Sequence, residues 1–417
     1  MNGINNWVIF LSNKADKSLL IKRLLQKQVP QIFDGLYSGE GQLFSAIAVN
    51  ELIAEEEQHD YVEVDSSGTR HLRFLSGGEQ KKALLAYLLL KKPDFIIADN
   101  LMDNLDSASQ SFFRLRFEEL SFHTPIIQLV NRIEDILPFI KKLLCVNDEN
   151  IFTYYKDVEL FLQSQPVNNL PVFGSMPVSD NNYVEVSNPL VAFKNVSVQY
   201  GDRVIVNNIS WQINKGEFWQ LIGPNGTGKT TLLSLITGDN VKAYGQDLIL
   251  FGKKKGSGES VWSIKQKIGY FTSSMTDLFG RTTTVIQMII SGFFDSIGLY
   301  TKPSERQLKL AYEWLLMVGM AHQKQTAFYT LSLGQQRMVM IVRAMVKHPP
   351  LLILDEPSAG LDDDNVSIVT ALINKIAADK NTAILYVSHR KEKYLSPEFI
   401  FELIPAANGS AGKKKIC

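Results

Sequence analysis

Eight consecutive residues constrain this chain more than any others: Gly223-Pro224-Asn225-Gly226-Thr227-Gly228-Lys229-Thr230. The apolar run Phe218 to Ile222 precedes them, and an apolar-periodic segment from Thr231 follows. The order is therefore strand, glycine-rich loop, helix. Glycines let such a loop turn successive backbone N–H groups inward as an anion nest. The helix behind it directs its positive end at the same point. Lys229 adds a positive charge for the β- and γ-phosphates of a nucleotide, and Thr230 offers a hydroxyl to Mg²⁺.

The chain also repeats itself. Leu75-Ser76-Gly77-Gly78-Glu79 and Leu331-Ser332-Leu333-Gly334-Gln335 each open an apolar-periodic helix. Each helix leads to a proline, Pro93 or Pro349, and then to a buried-type strand, Phe95 to Ala98 or Leu351 to Leu354. An Asp closes each strand, Asp99 and Asp355, both 24 residues after the leading Leu. Leu105-Asp106 and Leu361-Asp362 then recur at one offset, and later strands follow at Ile126 to Val130 and Ala383 to Val387. Such spacing predicts two copies of one α/β unit with a mostly parallel sheet. The expected organisation is a first cassette over 1–162, a Pro- and Asn-rich linker over 163–189, a complete cassette over 190–405 and a flexible tail over 406–417.

Chemistry concentrates in the second copy. Asp355 ends an apolar strand, so its carboxylate emerges at the sheet edge where ligands bind, and it is expected to hold Mg²⁺ through water. Glu356 follows as the group to orient or deprotonate an attacking water, help typically worth about 10²- to 10⁴-fold. His389, in Val387-Ser388-His389-Arg390 after the last strand, is placed to contact the γ-phosphate. Tyr200 ends a strand-like stretch from Val196 and offers a ring to stack on adenine. The helix after the second signature carries Met338, Met340 and Met345, read as core packing.

Composition excludes other classes. Lys plus Arg and Asp plus Glu number 43 each, so net charge gives no case for nucleic acid or anionic lipid as main partner. Cys145 and Cys417, the two cysteines, make no disulfide framework and fit a reducing, cytoplasmic setting. Neither Trp7 to Leu11 nor Leu84 to Leu90 is long enough for a signal peptide core or a membrane span. The basic runs Lys253 to Lys255 and Lys413 to Lys415 are read as solvated.

The phosphate loop, the two Leu-Ser-x-Gly-Gln/Glu signatures and Asp355-Glu356-Pro357 together resemble the ATP-binding-cassette (ABC) ATPases over nearly the whole chain. Phe251-Gly252 through Gly256-Ser257-Gly258-Glu259, Ser291 to Tyr300 and Leu331 to Arg337 are closer still to the ModF/PhrA type, named for molybdate transport and sometimes for photorepair. The resemblance implies two tandem P-loop NTPase cassettes with helical subdomains, here over Thr283 to Ser332. It also implies an intramolecular cassette pair, with each ATP sandwiched between one P-loop and the other cassette's signature. Most ABC proteins place Gln after the strand corresponding to Ile268 to Thr272. Here Ser273 and Ser274 follow, and Ser273 is assigned to Mg²⁺ through water.

The first copy departs from this pattern. Lys17-Ser18 stand where P-loop Lys and Thr would, but Lys14 and Asp16 replace the glycines equivalent to Gly226 and Gly228. Asn100 stands at the Glu356 position and Asn131 at the His389 position, and an amide cannot take a proton from water. From Lys17 to Ser76 is 59 residues, against 103 from Lys229 to Ser332, so this cassette is abbreviated. The sequence accommodates both an eroded cassette and a start upstream of Met1. Ser76, Gly77 and Gly78 are nonetheless intact. The expectation is one hydrolytic site, made of Lys229, Asp355, Glu356 and His389 with Ser76 in trans, and one degenerate site.

A subunit energising a separate membrane permease, peripheral at the inner face of the membrane, is the function the family name implies. The alternative is an ABC mechanoenzyme on ribosomes or nucleic acid, against which the short, uncharged linker counts. A regulatory ATP sensor is disfavoured by the retained Glu356 and His389.

Overall fold

Two sheets with the same strand order organise the protein, and their identity of plan follows from the repeated sequence. The structure is a computed structural model. It describes residues 6–13, 15–26, 39–59, 71–103, 105–146, 151–164, 171–178, 186–389 and 391–417. Lys14, Arg390 and much of the expected linker lie outside them. The chain divides into two compact units, Met1–Asn168 with Gly360–Asp363, and Asn169–Ala359 with Asp364–Cys417.

In the first unit the elements are β1 (Trp7–Leu11), α1 (Lys17–Leu25), β2 (Gly41–Phe44), α2 (Ala46–His59), α3 (Gly77–Leu90), β3 (Phe95–Asp99), α4 (Ser107–Leu120), β4 (Ile126–Val130), β5 (Lys142–Val146), β6 (Phe152–Tyr155) and α5 (Val158–Ser164). The strands line up as β2-β3-β4-β1-β5-β6. All neighbours are parallel except β5 and β6.

The second unit continues with β7 (Val191–Tyr200), β8 (Arg203–Ile213), β9 (Phe218–Ile222), α6 (Lys229–Ile236), β10 (Leu248–Leu250), β11 (Lys253–Lys254), α7 (Val261–Lys265), β12 (Ile268–Thr272), α8 (Val285–Ser291), α9 (Glu305–Met317), α10 (Leu333–Met345), β13 (Leu351–Asp355), α11 (Asp363–Ala378), β14 (Ala383–Ser388), β15 (Phe399–Ile404) and β16 (Ala411–Ile416). Its main sheet runs β12-β13-β14-β9-β15-β16, again parallel until the antiparallel last pair. Strands such as β13, buried from Leu351 to Leu354, read as unbroken apolar runs because a parallel sheet is covered on both faces. An antiparallel sheet, β11-β10-β7-β8, is added. Between Thr283 and Ser332 lie α8, α9 and two single helical turns, while 292–304 is irregular, so the expected helical subdomain is half helix and half loop.

The repeat extends to backbone angles and close contacts. Asn100 and Glu356 occupy equivalent positions and both are left-handed, at φ 44° and 50°. Gly78 packs where a Cβ would lie 2.8 Å from Ser109 Oγ, and Gly334 where one would lie 1.8 Å from Asn365 Oδ1. The second signature glycine is thus required by helix approach in both halves.

Two expectations are corrected. The tail expected to be flexible from 406 is a hairpin: β16 pairs with β15 from Ile404↔Ala411 to Phe399↔Ile416. Its lysines are used rather than merely solvated. Lys415 pairs with Glu402, and Lys414 Nζ lies 4.5 Å from the Phe399 ring centroid and 5.0 Å from that of Trp219, contacts that favour a cation on an aromatic face. Gly412 leaves room for Phe401, whose ring stacks on Trp211 at 4.4 Å. In the other basic run, Lys253 and Lys254 are exposed in β11, but the Lys255 side chain is fully buried, 3.6 Å from Glu259. Met338, Met340 and Met345 are buried, as expected for core.

Candidate nucleotide site

β9 delivers the chain into the glycine loop, and α6 begins at Lys229. Gly228 is the N-cap, at φ 98°, and places no side chain on the helix end. Only glycine fits there: a Cβ would lie 2.6 Å from Val206 Cγ1 and 2.9 Å from Ile205 Cγ2, at a left-handed angle that side chains disfavour. The first-turn N–H groups of α6 therefore face outward without a capping side chain, as an anion site requires. Lys229 is buried, and its ammonium donates to the carbonyls of Gly223 at 2.6 Å and Pro224 at 3.1 Å. Thr227 Oγ1 donates to Pro224 O at 2.8 Å, which closes the loop on itself.

A cavity of about 450 Å³ opens over this loop. It brings together Lys229, Thr230, Thr231, Ser273, Asp355 and Glu356, with Asn225, Gly226 and Gly228 at its floor. Asp355 stands at the end of β13, beside Thr272 of β12 and Val387 of β14. Burial, then the adjacent Glu356 carboxylate, push Asp355 up to about 6 against the pull of Lys229. Glu356 behaves oppositely. Its contact with His389 holds it below the usual carboxylate range despite burial, with Lys229 adding to the effect. His389 Nδ1 lies 3.5 Å from Glu356 Oε1. Yet both ring nitrogens of His389 are buried without a hydrogen bond among the described residues. Buried polar atoms are nearly always satisfied, so this imidazole, with only the Glu356 carboxylate near it, is an exception in the structure.

The family model for ABC transporters matches residues 206–359. The ABC transporter ATP-binding protein ModF of Escherichia coli is 40% identical over 335 residues, covering 78% of this chain and 68% of that protein. The chain belongs to the ABC ATPases.

An uncharacterized ABC transporter ATP-binding protein of Schizosaccharomyces pombe is 29% identical over 324 residues, 76% of this chain and 66% of that one. The chain thus spans about two thirds of the length of these two relatives. Among solved structures, the complex of archaeal ribosomal stalk protein aP1 with the archaeal ribosome recycling factor aABCE1 superposes with a TM-score of 0.64. That match covers 98% of this chain and 85% of that one at 18% identity, and shows the tandem-cassette fold. No helix among the described residues is long and apolar enough to cross a membrane.

In this ABC ATPase the first unit repeats the site in altered form. Asp16 caps α1, its carboxylate accepting from Leu19 N–H at 2.9 Å. An internal carboxylate thus sits at the helix end that a phosphate would use. Lys17 Nζ lies 2.9 Å from Asp99 Oδ1, so the lysine and the strand-end aspartate neutralise each other. α2 begins at Ala46, directly after β2, where the second unit has Ser273 after β12. Ser76 caps α3 and its hydroxyl donates to Glu79 at 2.7 Å in a capping box. Around the Gly77 Cα there is open space, with nothing within 4 Å of a built Cβ.

Of the residues predicted in the second cassette, His389 is absent from the cavity lining and reaches it only through Glu356, and Tyr200 is not gathered at all. It is absent from the cavity lining, and its hydroxyl accepts from Asn240 Nδ2 at 2.8 Å. Arg203 and Ile205 of β8 line the wall instead. No periodicity or motif singles them out along the chain. Only the pairing of β7 with β8 brings them to the loop. Arg337 was likewise seen only as part of the signature. Its guanidinium donates to Ser273 O at 3.2 Å and Ala359 O at 3.5 Å, tying the Ser273 turn to the loop after Glu356.

Proposed function

We propose that this ABC ATPase hydrolyses MgATP at the Lys229 site and that closure on ATP drives a separate membrane permease from the cytoplasmic face. The observation that carries the reading is Glu356, which lines one cavity with Lys229, Thr230 and Asp355 and has His389 Nδ1 behind it at 3.5 Å.

Lys229 and the α6 N-terminus hold the phosphates. Glu356, ionised at neutral pH, orients the water and takes its proton as the bond to the γ-phosphorus forms. His389 supplies a hydrogen bond to the γ-phosphate. Mg²⁺ fits the donors present: the Thr230 hydroxyl, Asp355 and Ser273 are hard oxygen ligands in one cavity. No group of three or more His, Cys, Asp or Glu side chains forms a protein-only cage among the described residues. Mg²⁺ would therefore complete its shell with nucleotide oxygens and water, its usual habit. When bound it would neutralise phosphate charge.

Ser76 and Gly77 are the groups we assign to close on the γ-phosphate from the first cassette, in an intramolecular cassette pair. Support comes from each half separately: the first keeps an open signature but has filled its own phosphate position with Asp16. Tyr200 remains the aromatic assigned to adenine, through rotation away from Asn240. Molybdate-type transport rests on similarity to ModF alone. The second reading, action on ribosomes or nucleic acid, draws on the tandem plan shared with a ribosome recycling factor, a likeness of fold.

Affinity purification of tagged chain from membrane and ribosome fractions separates the two. Co-purification with an integral membrane protein is expected, and recovery with ribosomes alone would sink the permease reading.

A further inference from the structure

Arg203 begins β8, directly after the Gly201-Asp202 turn of the β7–β8 hairpin. Its Nη2 lies 4.0 Å from where a Cβ on Gly226 would stand, so the guanidinium reaches over the phosphate loop. It also lines the cavity of about 450 Å³ and a second of about 650 Å³, and Ile205, Asn225 and Gly226 join it in both.

The position of Arg203 is fixed from behind. Ser410 N–H donates to Ile205 O and Asn207 N–H to Ser410 O, both at 2.9 Å, so the C-terminal hairpin pins β8. On its other side β8 abuts the loop through Val206 and Ile205 at Gly228. Among the described residues no carboxylate lies within ion-pair distance of the guanidinium. A cation in this place would otherwise be spent on solvent alone.

Charge in the cavity makes the role specific. Asp355 and Glu356 contribute two carboxylates to the lining, and Lys229 is the other cation there. Without Arg203 the lining sets two carboxylates against one ammonium, so a triphosphate would meet more negative than positive side-chain charge; Arg203 evens the count. Arginine is suited to this, since its planar fork binds phosphate oxygens bidentately.

We infer that Arg203 is a second phosphate-binding cation of the ATP site, contacting the triphosphate across the mouth of the loop at Gly226. The assignment rests on the proposed Lys229 site and deepens it.

The test uses the full chain. Steady-state ATPase kinetics and competition by inorganic tripolyphosphate and by adenosine are measured for wild type, R203A, R203K and, as a control on the site itself, K229A. R203A should raise KM for MgATP and Ki for tripolyphosphate about tenfold, with kcat within twofold and Ki for adenosine unchanged. R203K should recover part of the loss through its charge. Unchanged KM in R203A overturns the assignment, as does a loss confined to adenosine. Retention of full ATP affinity in K229A would instead reject the underlying site, whatever R203A does.

Discussion

Glu356 Oε1 stands 3.5 Å from His389 Nδ1, and neither nitrogen of that imidazole finds a hydrogen bond among the described residues. The pair joins the loop after β13 to the end of β14. Glu356→Gln keeps size and removes the base, so turnover should fall by at least about 10²-fold while ATP still binds. His389→Ala should lower kcat with less effect on KM, as the contact we propose to the γ-phosphate requires. Single-turnover hydrolysis and equilibrium binding of radiolabelled ATP check both. Equal turnover in E356Q and wild type would reject the assignment.

Nucleotide stoichiometry should be one per chain. Lys229→Ala is expected to abolish binding, whereas Lys17→Ala should leave affinity within about twofold, since Lys17 is already committed to Asp99. Equilibrium dialysis with a non-hydrolysable ATP analogue measures this. Two equivalents bound per chain, or loss of affinity in K17A, would show the first cassette to be a working site.

The two glycines after Ser76 should differ in what they tolerate. Gly78→Ala drives a methyl to 2.8 Å from Ser109 Oγ and should destabilise the fold by roughly 1–3 kcal/mol. Gly77→Ala meets open space and should fold normally. If Gly77 closes on the γ-phosphate, G77A will nevertheless slow ATP hydrolysis with binding retained. Thermal unfolding together with turnover separates the two effects. Wild-type turnover in G77A would argue against the assigned role of the first signature.

A buried carboxylate in the first unit makes a pH prediction. Burial, and then the charge of Asp103, raise Asp135 to about 7, with Arg132 opposing. The folded chain therefore holds this proton more tightly than the unfolded one. Its contribution to stability is greatest below about pH 4 and declines as pH rises to about 7. Asp135→Asn mimics the protonated form, so it should stabilise the protein by roughly 2 kcal/mol at pH 8 and by little near pH 4. Urea midpoints of wild type and variant at both pH values give the comparison. A difference independent of pH would remove titration of Asp135 as the cause.

Much of this was legible before the structure, for physical reasons. β9 and β13 are buried on both faces, so apolar runs mark them, broken in β9 only by Gln220, and Asp355 and Glu356 follow at the edge where ligands gather. The glycine loop carried its own signal because few other residues can take its angles. Asp16 was visible as a lost glycine, but its capping of α1 was not, since a capping bond depends on the local turn. Arg203 lay hidden because its role comes from tertiary pairing of β7 with β8. Composition alone hides the C-terminal strand. Three lysines and two glycines look like a solvated tail, yet edge strands commonly carry lysine. Aromatic faces at Phe399 and Trp219 accept one of these lysines, and Phe401 fills the space that Gly412 leaves.

Asn100 shares its left-handed backbone with Glu356, although the first cassette has no base to aim. The uncommon angle therefore belongs to the bend at the strand's end, whichever side chain stands there. Evolution, or an engineer, can exchange the side chain on that bend without rebuilding it. Asparagine accepts such angles more readily than most residues, so it suits this bend without any strain from the exchange.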